Sequence, residues 1–483
     1  MLKTFKKMLS VFAAMAVTMS VVGGCGSKQV NTSTPPPTKE KEVVTLKWVQ
    51  VGNGMPKNYA AWKDNINKYL GEKIGVNIDV EVVSWGDWDN RRNVLVNSGE
   101  KFDVLFTNSN NYLGDISKGA YYDISNLVKT KSADLYKYIP EKYWDAVKVD
   151  GKIYSVPTYK DSSMTNYLVW DKNKAVKDNI DYQNINTLQG MDGALRTLKD
   201  KEGKASLILN LDGLYSIYAP YDGMSAGLPA LGVRYDDNSR KVVSVFEQSD
   251  IMSQLELINK WYKDGIVNAD APTLAEVPKY RPAFIAQGWK SAAVTTWGPQ
   301  MGVDADAVQI GDTVVSNETV RGSLSAISAS TKYPEKCLEF LQLVNLDSKV
   351  RDAFYYGLEG DNFQYVDGKV KKLNEDWSMA GYTQGTFFNV SQLVDAKLNQ
   401  WDEVKKLNET AKSSVLIGFN LNTSKIENEL ANCRQVYSKY KSELLTGAKE
   451  PKAEVAAMVK ELNAAGFDKI VKEAQSQVDA FNK

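Results

Sequence analysis

Histidine is absent from all 483 residues. That excludes Ser–His and Cys–His nucleophilic centres, histidine-based zinc peptidase motifs and nearly every ordinary catalytic zinc site. Cysteine is scarce: after Cys25 only Cys337 and Cys433 remain, within the helical patterns "PEKCLEFLQLV" and "ELANCRQVYSKY". Two such thiols build no disulfide framework and read as buried, free side chains. Net charge is missing too, with 59 basic against 59 acidic residues, so nothing electrostatic points to nucleic acid. Past the N-terminal segment no apolar run reaches the ~20 residues of a membrane span. The acidic pairs Asp236-Asp237 and Asp304/Asp306 lack the spacing of a calcium loop. They read as solvated turns, and neither a metal nor a cofactor is expected.

What is present begins with an export pattern. Lys3, Lys6 and Lys7 precede an apolar stretch over 8–22 that is short for a span. Val22-Gly23-Gly24 before Cys25 resembles a bacterial lipobox, with Val22 where leucine is usual. Residues 1–24 therefore read as a lipoprotein signal peptide and Cys25 as the lipidated terminus. Residues 26–42 are rich in Ser, Thr, Pro, Lys and Glu and are stiffened by Pro35-Pro36-Pro37. Such a stretch buries too little apolar surface to fold, so 25–42 is a tether. Acyl chains at about 0.8 kcal/mol per buried methylene hold such a protein on a membrane.

At 43% hydrophobic and 24% charged residues the body can build ordinary cores, and its length predicts about two or three domains. Aromatics are plentiful, with 25 Tyr, 14 Phe and 11 Trp; Tyr and Trp combine a stacking face with a hydrogen-bonding tip. "VVTLKWVQV" (43–51) reads as a strand buried on both faces, and Tyr59, Trp62, Ile66, Tyr69 and Leu70 as one helical face. "VNIDVEVV" (76–83) alternates as a strand, "WDNRRNVLVNSGE" is a short helix and "KFDVLF" (101–106) a third strand. This β-α-β-α-β order predicts a parallel sheet, whose ligands sit beyond the carboxyl ends of the strands. The stretches leaving those ends (52–59, 84–90 and 107–115) are rich in Asn, Trp and Tyr and suit a neutral polar ligand. Asp150-Gly151 predicts a type I′ hairpin, followed by a crossing to a second unit near 156–161. That unit has expected strands at 206–211 and 291–297 and a helix at 249–264. A strand and a proline-started helix over 322–345 return to the first unit. The rest is mostly helical, and Ile470, Ala474, Val478 and Phe481 form an apolar stripe for the second unit.

Four segments carry a family resemblance: "YLGEKIGVNIDVEVVSWGDWDNRRNVLVNSGEKFDVLFTNSNNY", "KGAYYDISNLV", "IPEKYWDAVKVDGKIYSVPTYKD" and "YYGLEGDNFQYVDG". In order along the chain they resemble the extracellular solute-binding proteins of family 1, the carbohydrate receptors of ABC importers. "GFNLN" (418–422) and the terminal "AAGFDKI" are similar to the long Gram-positive lipoprotein subgroup with a C-terminal extension domain. The resemblance implies a periplasmic-binding-protein-like type II α/β fold, with two lobes around a cleft, a hinge and a helical C-terminal extension. The expected division is 43–158 with 312–352 for lobe 1, and 159–311 with 353–483 for lobe 2. It also implies an oligosaccharide ligand, ABC permease subunits as partners and a lipid anchor on the outer face of the cytoplasmic membrane. A monomer without catalysis is the expectation.

Strand ends and hinge nominate the ligand-binding residues. Trp85 and Trp88 flank Gly86-Asp87; one is expected on a sugar face, while the other packs in the core or at the helix cap. Asp87 accepts sugar hydroxyls or caps the following helix. Asn53, Asn108, Asn110 and Tyr112 leave the first and third strands, where Asn also serves turns. Tyr159 and Asp161 enter the hinge, the alternatives being a packed ring and a solvated carboxylate. Trp297 is the foremost candidate, as the cleft-facing end of a second-lobe strand; otherwise it covers that lobe's own core. Tyr356 and Glu359 lie in a glycine-punctuated turn, and Trp377, Tyr382 and Phe419 complete the set.

Three function classes compete. The first is a sugar receptor with no chemistry of its own. The second is a surface glycoside hydrolase with two carboxylates about 5–9.5 Å apart, against which stands the two-lobed order of elements with no eightfold barrel pattern. The third is a peptide or amino-acid receptor, which needs fixed charges where these stretches offer amides and aromatics.

Overall fold

The computed structural model describes residues 43–481. The expected signal peptide (1–24), Cys25 and the tether lie outside the described residues. β1 (Val44–Gly52), α1 (Tyr59–Ile74), β2 (Val76–Ser84), α2 (Trp88–Ser98) and β3 (Val104–Thr107) follow one another as the sequence pattern requires. β1 lies between the other two strands. It runs parallel to β2 from Val44 opposite Val76 to Gly52 opposite Ser84, and parallel to β3 on its other side. Helix α1 lays Trp62, Ile66 and Leu70 on this sheet and stops at Gly75, whose left-handed φ of 66° lets its N–H close on the Gly71 carbonyl. Leu324–Ile327 adds antiparallel to β3, and Ser155–Pro157 forms the edge beyond it. Trp48 seals the core, its ring 5.3 Å from both Phe340 and Phe354.

A second sheet has the order Ala283–Gln287, Met164–Asp171, Ala305–Val315, Lys412–Ser413. Met164–Asp171 is antiparallel to both of its neighbours. Its core draws in Trp170, Trp261, Leu444, Met458, Ile470, Ala474 and Val478. The C-terminal helices Glu427–Leu445, Pro451–Ala464 and Phe467–Ala480 thus pack on this second core. The architecture is two α/β lobes, each with its own sheet. Among the described residues no helix is long and apolar enough to cross a membrane.

Several expectations are corrected. Residues 206–211 form no strand; Leu207 alone bridges to Val267 and Ala283. Residues 291–297 are helical, with Ala293–Trp297 wound as a π-turn, because the Glu403 carboxylate takes the free N–H groups of Lys290 and Ser291 that open it. Residues 312–315 stay in the second sheet as the end of Ala305–Val315. The stretch 353–388, expected with the second lobe, packs on the first: Phe354 and Met379 are buried there, and Trp377 tilts against Trp62 at 5.5 Å.

The chain passes between the lobes at 158–163, at 316–323 and again over 389–415. Thr158 and Ser323 meet where the first two run side by side, the N–H of Thr158 donating to the Ser323 carbonyl at 3.1 Å. The third lies along them. Asn408 accepts from Ser163 Oγ at 2.9 Å and donates to the Lys160 carbonyl, and the Ser414 N–H reaches the Val315 carbonyl at 2.8 Å. Behind this junction Asp222 is buried, its carboxylate taking Ser414 Oγ at 2.6 Å and the Met224 N–H at 2.9 Å. Burial raises its pKa, while Ser414, Met224 and Arg321 pull it back only in part. A carboxyl raised on folding binds its proton more tightly in the folded state, so its contribution to stability is lost as pH rises through the folded pKa. Asp222→Asn removes the buried charge, keeps an amide oxygen for the Met224 N–H and turns its NH2 to donate to Ser414 Oγ. Its melting midpoint at neutral pH should exceed that of the unsubstituted protein, and the gap should close as the solution is acidified; calorimetric scans across pH check both.

Candidate functional site

At the carboxyl end of β1 the backbone leaves no room for a side chain. A Cβ on Gly52 would lie 2.7 Å from Val82 Cγ1 and 3.1 Å from the Ser378 carbonyl oxygen. The segment 378–380 therefore docks directly on the strand end, with the Asn53 N–H donating to the Ser378 carbonyl at 3.0 Å and Ser378 Oγ to the Gly54 carbonyl at 2.8 Å. This docking carries Tyr382 to Trp85, at the end of β2. The two rings are nearly parallel, 10° apart with centroids at 6.5 Å, and Trp85 also stands edge-on to Phe106 at 6.3 Å. Trp85 is 46% exposed and Tyr382 45%. Two large aromatic faces are thus held at a strand end and left open to solvent, which makes them a candidate binding surface.

Around them lie the other strand-end candidates. The side chains of Asn53 and Asn110 are exposed, and Asn108 is half-buried, its Oδ1 taking the Asn110 N–H at 3.1 Å in a local turn. Asp87 is exposed and accepts from Ser84 Oγ at 2.6 Å; its side chain does not cap α2. Asp161 pairs with Lys160 at 2.6 Å at the first crossing.

Other expected residues are built into the cores. Trp88 is 4% exposed and packs edge-on against Phe106. Tyr112 is fully buried, donates to the Val147 carbonyl at 2.8 Å and has its pKa pushed up to about 12 by burial. Tyr159 packs among Tyr138, Tyr143 and Phe388. Phe419 lies in the second core, edge-on to Phe481. Trp297 leans on Tyr167 and Phe284 in a small satellite core rather than ending a strand. Tyr356 is buried with its hydroxyl on the Ser391 carbonyl at 2.6 Å, and Trp377 is half-buried, its indole N–H on the Phe354 carbonyl at 3.0 Å; Glu359 stands exposed in its turn.

The second-lobe contribution comes from residues the sequence reading passed over. Trp289 follows the strand Ala283–Gln287, and Trp401 opens the helix Gln400–Thr410. Their rings lie 5.8 Å apart, and Trp401 rests on Phe387 at 4.4 Å. Gln400 Oε1 takes the Trp289 indole N–H at 3.2 Å and Thr295 Oγ1 at 2.7 Å, which fixes the pair. The available signal was "AFIAQGW" (283–289), a short apolar run ending in Gly-Trp. A cavity of 330 Å³ between Tyr382 and Trp401 is walled by Tyr355, Trp377 and Gln400, and a second of 240 Å³ is lined by Asp161, Ser163, Gln287, Trp289 and Leu407. The charges bordering them are tied up: Lys160 to Asp161, Lys372 to Glu375, and Glu403 to two backbone N–H groups. Among the described residues no group of His, Cys, Asp or Glu side chains is arranged to hold a metal ion.

Against known proteins, a family model described as bacterial extracellular solute-binding protein matches residues 65–357, and one described as a domain of unknown function (DUF3502) matches 415–483. A carbohydrate ABC transporter substrate-binding protein of Streptococcus pneumoniae is 24% identical over 100% of this chain and 99% of its own length. The crystal structure of the N-glycan transport solute binding protein NgtS of Streptococcus pneumoniae superposes with a TM-score of 0.79 at 24% identity, covering 90% of this chain and 98% of that one. Its complex with Man1GlcNAc gives 0.70 at 23% identity, over 91% and 99%.

Arg351 is what holds Tyr382 in place from behind. Fully buried, it donates through Nε to the Thr386 carbonyl at 2.7 Å and through a terminal nitrogen to the Gly381 carbonyl. Burial pulls its pKa down to about 10, which leaves it charged at neutral pH. Arg351→Ala strands the buried Thr386 carbonyl, leaves that of Gly381 to the Gln384 N–H alone, and should cost about 3 kcal/mol of unfolding free energy, measured by denaturant titration.

Proposed function

The chain belongs to the bacterial extracellular solute-binding proteins, whose model spans most of its body, and on that premise we propose that it is the oligosaccharide receptor of an ABC importer. It takes a neutral oligosaccharide between its lobes, closes on it and presents it to the permease subunits while a lipid on Cys25 keeps it at the outer face of the cytoplasmic membrane. The observation that carries the reading is the open, near-parallel Trp85–Tyr382 pair on one lobe with Trp289 and Trp401 fixed on the other side. Ring faces bind the apolar faces of sugars, and the surrounding amides suit hydroxyls. The paired charges favour a ligand without charge. The relatives support the same class: one is a carbohydrate receptor, and one was crystallised with a mannose–N-acetylglucosamine ligand.

The mechanism is a biased equilibrium. Each lobe supplies half of the contacts, so only the closed arrangement makes both sets, and the bound sugar favours it by the difference in affinity. Moving the population from 1:99 to 99:1 takes about 5.5 kcal/mol, within the ~8 kcal/mol of a micromolar complex. In this reading lobe 1 is 43–157 with 324–388, lobe 2 is 164–315 with 416–481, and the stretches between them are the crossings, the third of which holds Trp401 against Trp289.

A thermal-shift screen against neutral oligosaccharides, with amino acids and peptides as controls, tests the reading. A ligand at a hundred times its Kd should stabilise by about 2.7 kcal/mol. Trp85→Ala or Tyr382→Ala should weaken binding about tenfold or more with little change in the sugar-free midpoint. A response to peptides and none to sugars would sink the assignment.

A further inference from the structure

The 330 Å³ cavity beside Tyr382 is built wholly from one stretch of chain, running from Tyr355 to Trp401. Most of that stretch lies between the two family-matched regions, 65–357 and 415–483, so the family assignment does not speak for it. The hairpin of Phe363–Val366 and Lys369–Lys372, turned at Asp367 and Gly368, both with positive φ, brings Lys372 to one wall. Residues 392–394 lie alongside it, the Val370 N–H donating to the Gln392 carbonyl at 2.8 Å and the Val394 N–H to the Val370 carbonyl at 2.9 Å. A single buried carboxylate ties hairpin and strap together: Asp352 takes the Tyr365 hydroxyl at 2.8 Å and the Ser391 N–H at 2.8 Å. The walls are thus fixed before any ligand arrives, which lowers the ordering cost of binding.

The lining has a definite chemistry. Tyr356 and Trp377 spend their polar tips on the Ser391 and Phe354 carbonyls. Asn399 Oδ1 caps Trp401, and Gln400 Oε1 is held by Trp289 and Thr295. Among the described residues, the amide nitrogens of Asn399 and Gln400 and the whole side-chain amide of Gln392 have no partner in the protein. Lys372 and Glu375 neutralise one another. The volume sits at the low end of the ~300–1,000 Å³ of small-molecule sites, and Tyr382 belongs both to this cavity and to the pair with Trp85.

We propose that this cavity is an end-unit subsite: it receives the terminal residue of an uncharged oligosaccharide whose next unit lies on the Trp85–Tyr382 pair. The inference rests on the oligosaccharide reading above and adds polarity to it. The chain end that enters must be free, while the opposite end extends out past the Trp85–Tyr382 pair.

Titration calorimetry on the full chain tests it with short mannose- and N-acetylglucosamine-containing oligosaccharides, used untagged or with a bulky aromatic tag at one end or the other. A tag at one end should weaken binding at least about tenfold while a tag at the other is tolerated. Ala396→Trp, which plugs the cavity from an exposed wall position, should weaken the untagged sugars as strongly. Tolerance of tags at both ends, or undiminished binding by a folded Ala396→Trp, overturns the subsite and leaves the oligosaccharide reading standing. If the unsubstituted protein binds none of the sugars, the reading falls and the subsite with it; the tag series needs no variant.

Discussion

Thr158 and Ser323 bond to each other where two passages of the chain between the lobes run side by side, and both of their hydroxyls reach the Thr383 carbonyl. Each passage is fixed at both ends by a β-ladder: Ser155–Pro157 and Met164–Asp171 flank the first, Ala305–Val315 and Leu324–Ile327 the second. Rotation between the lobes is therefore confined to a handful of residues, and the third passage, through Asn408, moves with them. This constraint makes a half-site on each lobe useful. Strand ends that hold Trp85 can meet the turn that holds Trp289 only along one restricted path, so a ligand that touches both selects one arrangement.

The same chain divides its aromatic residues between two jobs. Trp48, Trp62, Trp144, Trp170 and Trp261 are fully buried and close the two cores. Trp85, Tyr382, Trp289 and Trp401 are left open or half-open, and each is held by something rigid: Phe106 beneath Trp85, the Gly52 contact and Arg351 behind Tyr382, Gln400 between Trp289 and Trp401. Rigidity matters because a ring that is already placed loses little entropy when a sugar lands on it.

The first lobe was largely legible in the sequence because its signals are local. Alternation in "VNIDVEVV", the stripe from Tyr59 to Leu70 and the Asp150-Gly151 turn all act within a few residues, and the strands, the helix and the hairpin stand where these signals put them. Trp85 and Tyr382 are both candidates on sequence, but only the docking of 378–380 on Gly52 explains why they meet, and that contact spans more than three hundred residues of sequence. Trp297 misled because "SAAVTTW" carries β-branched residues that suit a strand, while Glu403, far along the chain, supplies the cap that starts a helix there. Tyr112 and Trp88 follow strand ends as binding residues do, yet each opens a helix and faces inward onto the first core. Trp289 and Trp401 went unpicked because nothing local to either announces the other.

Closure of the two lobes on a neutral sugar shows as a change in an inter-lobe distance. Cys337 and Cys433 are buried, so spin labels can be directed to Lys101→Cys on one lobe and Lys279→Cys on the other, in a Cys25→Ser background. The double electron–electron resonance distance distribution should be broad without ligand. Saturating neutral oligosaccharide should make it shorter and narrower, and the change should be lost with Trp85→Ala at the same sugar concentration. A distribution unmoved by a sugar that demonstrably binds would contradict closure.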